Sequence, residues 1–186
     1  MSRSSKNGGV ALFFLVIFLA WLSLPSWAQT KSGALSLAQV KSLLGEWQGS
    51  DHDLDHEAIR HLSQVPKFAE VKVFFGTWCE DSQREVPRLL KVLSDLGESP
   101  FSVKFFQVDK DKKEPAQLLA ANDIVFLPTF VVSRRGKEVG RIVERSPRSL
   151  EVDLTLLLDG KTAGLVSSSE QVIWHYLSDR EKKTYN

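Results

Sequence analysis

Cys79 is the single cysteine of the chain, set in the run Val71-Lys72-Val73-Phe74-Phe75-Gly76-Thr77-Trp78-Cys79-Glu80-Asp81-Ser82. An apolar, β-rich stretch enters a short turn, and the cysteine falls where a helix should begin. Free backbone N–H groups and aligned peptide dipoles at a helix start favour negative charge. They therefore favour the thiolate, the form of cysteine that attacks disulfides. Glu80 and Asp81 act the other way, because like charges beside a thiolate disfavour it. Ser82 can donate a hydrogen bond to the sulfur, and Arg84 can soften the repulsion. The expectation is a thiol of moderate reactivity.

One sulfur limits the chemistry. Cys79 can attack a disulfide and form a mixed disulfide, but a second thiol, from the substrate or from a small thiol, must release it. The alternative for Cys79 is a buried, inert side chain. A second polar group holds Asp51, His52, Asp53, Asp55, His56, Glu57 and His61. His52 and His56 are four apart and on a helix would share a face, a spacing that could grip zinc or copper with a carboxylate. The favoured reading is an acid-capped helix start in which Asp53 or Asp55 breaks the helix between the two histidines. The sequence calls for no cofactor.

These residues need elements to position them. Apolar spacing predicts a helix over 35–46, ended by the turn at Gly45 to Gly49, and a second over 55–64. Val71 to Phe75 reads as a buried central strand. Ser82-Gln83-Arg84-Glu85 fits a capping box, and the helix behind it runs to Leu96 with Pro87 as a kink. A strand at 103–108, a helix at 114–121 and a strand at 129–133 follow. Arg134-Arg135-Gly136-Lys137 is a hairpin turn, and 139–143 is the returning strand. A helix covers 149–158, residues 160–168 form a Gly/Ser-rich linker, and 170–182 is a last helix with Val172, Ile173, Tyr176 and Leu177 on one face. Trp47 and Trp174 are expected to cover core edges.

Lys and Arg total 24 against 23 Asp and Glu, for a formal net charge of +1. This balance gives no case for nucleic acid or an anionic membrane as a partner. At the N-terminus, Arg3 and Lys6 precede an apolar run from Val10 to Leu24 and the segment Pro25-Ser26-Trp27-Ala28. This is the layout of a secretory signal peptide over 1–28. It predicts an exported protein that begins at Gln29, with membrane attachment only through an uncleaved signal.

In this order and spacing the chain resembles the thioredoxin family. Trp78-Cys79 is similar to the start of that family's Trp-Cys-Gly-Pro-Cys segment, and Pro87 lies eight residues on, at the place of its helix proline. Leu127-Pro128-Thr129 resembles its cis-proline loop, and Phe130 to Glu138 its closing hairpin. The resemblance implies a thioredoxin-like α/β domain over 65–158, a three-layer α/β/α sandwich with a mixed central sheet. A helical extension over 29–64 would precede it, and a linker with a C-terminal helix over 159–186 would follow. It also implies that Pro128 lies beside Cys79, and that Trp78, Leu127, Pro128 and Thr129 shape a groove for a partner's extended chain. Three departures stand out. Ser82 replaces the second cysteine, Val73 replaces a buried acid, and Glu80 and Asp81 are acidic where the family is neutral or basic. The expected function is thiol–disulfide exchange through Cys79 with thiol- or disulfide-bearing proteins or small thiols such as glutathione, in the periplasm or envelope of a bacterium. The alternative is a non-catalytic binding or assembly module.

Overall fold

The computed structural model describes residues 33–45 and 53–184. The expected signal peptide, the turn around Trp47, and His52 lie outside the described residues. Among those described, no helix is long and apolar enough to cross a membrane.

The helices start where side chains can satisfy free N–H groups. Ser36 and Gln39 form a reciprocal capping box at α1 (Leu37–Leu44), and Gly45 closes it. The Asp55 carboxylate accepts from the N–H groups of Glu57 and Ala58 and opens α2 (His56–Leu62). The helix therefore begins at His56, as an aspartate cap there requires. Strand β1 (Ala69–Phe75) follows, then α3 (Glu80–Leu96), which runs through Pro87. Next come β2 (Ser102–Gln107), α4 (Ala116–Ala121), β3 (Thr129–Arg134) and β4 (Lys137–Val143). Helix α5 (Leu150–Asp159), β5 (Gly164–Val166) and α6 (Glu170–Thr184) complete the order. Helix α4 starts two residues later than its sequence pattern suggests, because Pro115 is extended and serves as its N-cap.

The five strands form one mixed sheet in the order β2-β1-β3-β4-β5. β1 pairs parallel with β2 and antiparallel with β3, so both of its edges are hydrogen-bonded. The β3–β4 hairpin turns through Arg135 and Gly136, both at positive φ (52° and 76°), as a tight hairpin of this hand requires. Alternation along β1 feeds two apolar clusters. Val71, Val73 and Phe75 meet side chains of α1, α2, α3 and α5, while Phe74 joins Phe106, Leu119 and Val131 under α4. Helix α6 lies on the α4 side, where Tyr176 meets Arg141 of β4 and His175 packs edge-on against Phe126 at 5.3 Å. This is the expected three-layer α/β/α sandwich.

Two sequence expectations are corrected. Part of the expected linker is a strand: Gly164–Val166 pairs parallel with Gly140–Ile142. Three residues are too few to show a period, and the pairing depends on distant Gly140, where a Cβ would lie 2.5 Å from the Gly164 carbonyl oxygen. On α6, only Val172 of the expected apolar face is fully buried, whereas Ile173, Leu177 and Trp174 are exposed. Trp174 therefore covers no core edge.

One buried ion pair ties three helices together. Glu151 on α5 has no exposed surface. Its two oxygens accept from Arg88 Nε and Nη2 of α3, both at 2.9 Å, and Oε1 also accepts the Asp55 N–H at 3.0 Å. Burial opposes the charge, but the Arg88 hydrogen bonds and the Asp55 N–H outweigh it and pull the Glu151 pKa from 4.5 to about 2. A carboxylate whose folded pKa is depressed stabilises the fold above its unfolded value, and that contribution is lost as pH falls from about 4.5 toward about 2. Replacing Arg88 by Met strands the buried carboxylate, and urea unfolding at neutral pH should show a loss of about 3 kcal/mol. The difference from wild type should shrink near pH 3. A constant difference across that range would mean that Glu151 is not the group responsible.

Candidate functional site

The site is built at the end of β1. Val108 donates its N–H to the Phe75 carbonyl at 2.8 Å, which carries the parallel pairing one step beyond β2. The chain then turns: the Cys79 N–H donates to Gly76 O at 3.1 Å, and the Gln83 side-chain amide donates to Thr77 O at 2.9 Å. Cys79 is extended (φ −95°, ψ 121°) and is the N-cap of α3. Its sulfur thus sits at a helix start, as the sequence implies, although its side chain makes no capping bond. Trp78 lies across Gly76, where an added Cβ would come within 2.8 Å of the indole. Its Nε1 donates to Val108 O at 3.3 Å, and the residue is 37% exposed.

The second wall is the loop before β3. The Leu127–Pro128 bond is cis. Cys79 is half-buried against the cluster that contains Phe74, Phe106 and Leu127, and its Sγ donates to the Leu127 carbonyl at 3.3 Å. That bond is open only to the protonated thiol. Thr129 is buried, with Oγ1 donating to Phe126 O at 2.7 Å, and Pro128 O accepts the Glu144 N–H at 2.9 Å. The structure therefore brings Cys79 and the Leu127-Pro128-Thr129 segment together, with Trp78 next to the sulfur along the chain.

Ser82 behaves differently from the expectation. It is fully buried, and its Oγ accepts the Gly76 N–H at 3.2 Å. It is not a helix cap, because α3 begins at Glu80 and places Ser82 in the first turn. Glu85 accepts from Arg84 Nε instead of reaching back to the backbone. Ser82 thus holds the turn that carries the sulfur.

The two acids after the cysteine also separate. Glu80 is exposed. Asp81 is clamped: its Oδ1 accepts from Arg84 Nη2 at 2.9 Å and from Arg145 Nε at 2.8 Å. Arg145 lies 64 residues away, beyond β4, so local spacing gave no sign of it. A cavity of about 560 Å³ lies elsewhere, between α4 and α6, with Leu119, Ile124, His175 and Tyr176 in its lining and none of the residues around the sulfur. His56 opens α2 on the surface, and no group of three or more metal-ligating side chains gathers among the described residues.

Ser82→Ala removes the acceptor for a buried N–H, which costs about 1–3 kcal/mol. Urea unfolding should read that loss. An unchanged midpoint would mean the Gly76 N–H finds another partner.

No family model matches the chain. It is similar to a thioredoxin of Alternaria alternata, 32% identical over 107 residues that cover 52% of this chain and 85% of the relative. It is also similar to a thioredoxin-like protein of Acanthamoeba polyphaga mimivirus, 35% identical over 78 residues. That match covers 42% of this chain and spans about half of the viral protein, 54% of its length. A solved structure from Pseudomonas aeruginosa, a protein of unknown function, shares the fold with a TM-score of 0.50 at 15% identity, over 68% of this chain and 88% of that one. The sheet order, the cysteine at the helix start facing a cis-proline loop, and the Alternaria relative, most of whose length is matched, agree: the chain belongs to the thioredoxin family of redox proteins.

Proposed function

We propose that this protein is an exported monothiol exchange protein that works through a mixed disulfide at Cys79. The observation that carries the reading is the half-buried thiol at the start of α3, within hydrogen-bond reach of the cis-proline loop. Export is supported by the charged, apolar and small-residue order of residues 1–28, and a bacterial periplasm or envelope fits that order.

Cys79 loses its proton to solvent as the bond to Leu127 O is given up. The thiolate then attacks one sulfur of a partner's disulfide. The partner's S–S bond breaks, a bond from Sγ to the attacked sulfur forms, and the other sulfur leaves as a thiolate and is protonated. Ser82 carries no sulfur, so release requires a thiolate from the partner or from a small thiol such as glutathione. That thiolate attacks the mixed disulfide and restores Cys79. Electrons are exchanged between sulfurs with no external acceptor. The cycle shuffles disulfides or transfers a thiol group. Trp78 and the Leu127-Pro128-Thr129 segment border the sulfur where a partner chain would lie.

Folded protein treated with oxidised glutathione at neutral pH should gain a single adduct by mass, absent in Cys79→Ser. Modification that appears only after unfolding would replace the exchange reading with a binding module. A second test restores the missing sulfur. Ser82→Cys should clear the glutathione adduct intramolecularly and leave an internal disulfide between Cys79 and the introduced thiol, seen as loss of the adduct mass without added thiol. Persistence of the adduct would mean that position 82 cannot reach the sulfur.

A further inference from the structure

Asp81 follows Cys79 by two residues and sits in the first turn of α3, where its charge should oppose a thiolate. Its side chain is only 18% exposed, so solvent screens it poorly. Two guanidinium groups meet the same carboxylate oxygen, Arg84 at 2.9 Å and Arg145 at 2.8 Å. Arg84 is shared, since its Nε also binds Glu85 at 2.9 Å. Arg145 supplies the second positive charge. Its backbone is fixed on both sides. Glu144 before it adopts φ 57° and donates its N–H to Pro128 O, while the Arg145 carbonyl accepts the Ser168 N–H at 3.0 Å. The hydrogen bond and charge of Asp81 raise the Arg145 pKa further.

We propose that Arg145 is a positioning residue for the exchange reaction: it holds and neutralises the Asp81 carboxylate, so that this charge does not oppose the Cys79 thiolate. The inference rests on the monothiol reading and adds to it the residue that sets thiol reactivity. The other charged groups around the turn are Glu80, Arg84 and Glu85 on α3, and Glu144 and Arg148 on the loop after β4, with Arg148 bound to Asp153. Asp109 follows Val108, whose carbonyl takes the Trp78 indole. Without Arg145, Arg84 is the cation of α3 left hydrogen-bonded to Asp81 and Glu85, while Arg88, one turn on and within the field of Glu85, keeps its fork on Glu151.

The test is the rate of Cys79 alkylation against pH, at low and high salt. Arg145→Gln should slow the reaction at pH 7 by roughly three- to tenfold at low salt and shift the curve to higher pH. High salt should narrow the gap. Arg145→Lys should keep most of the wild-type rate. Asp81→Asn placed in the Arg145→Gln background should restore the rate to wild type or above, which loss of loop structure would not allow. A half-exposed ion pair contributes little to stability, so these variants should fold. An Arg145→Gln curve that overlays wild type, or a slow rate that persists in the double variant, overturns the proposal and leaves the exchange reading intact. A thiol that is unreactive in the folded wild type overturns both.

Discussion

The site depends on the two-sided pairing of β1. A strand bonded along both edges cannot slip in register without breaking two ladders at once. The parallel bond from Val108 to Phe75 continues that constraint past the last strand residue. The chain therefore leaves the sheet at a fixed point and in a fixed direction. Everything that matters about Cys79 follows from this exit: the turn closed on Gly76, the helix that begins at Glu80, and the meeting with Leu127. The antiparallel partner β3 is entered directly from Pro128, so the same ladder that fixes the sulfur also fixes the loop opposite it.

The layer behind the site is held by charge as well as by apolar packing. Arg88 lies two turns into α3, and its fork on Glu151 binds the helix that carries the sulfur to α5 and to the cap of α2. A planar guanidinium meeting a carboxylate through two bonds restricts orientation more than a hydrophobic contact does. The helix is thus anchored at its middle by Arg88 and at its start by Ser82 and Asp81. The turn between β1 and α3 has little freedom left.

How much of this was legible depended on sequence distance. The strand, the turn, the cysteine at a helix start, the acid cap of α2 and the Gly136 hairpin could be read because each is written in a few adjacent residues. The proximity of Cys79 and Pro128 was legible only through resemblance, since nothing local encodes a contact such as that of Cys79 with Leu127 across a separation of 48 residues. The Glu151 pair and the Asp81–Arg145 pair escaped for the same reason, with partners 63 and 64 residues apart. Local spacing put Asp81 beside the sulfur with Arg84 as its one nearby counter-ion, and the fold adds Arg145. Ser82 was misplaced for another reason. Its four-residue pattern fits a cap, and only the earlier start of α3 turns its hydroxyl toward Gly76. Strand β5 was hidden because three residues carry no period.

The buried hydroxyl of Ser82 also changes the molecularity of the protein's redox states. A dithiol pair oxidises within one molecule, and its balance of oxidised and reduced forms is independent of how much protein is present. Here any disulfide at Cys79 would have to include a second molecule, because the chain has one cysteine. In the exchange proposed above, the fraction of protein carrying a partner would follow the ratio of the partner disulfide to the thiol released from it. A compartment rich in the released thiol would hold the protein mainly as free thiol, and a compartment rich in a particular disulfide would load it. The chain would thus report the thiol–disulfide balance of particular partners.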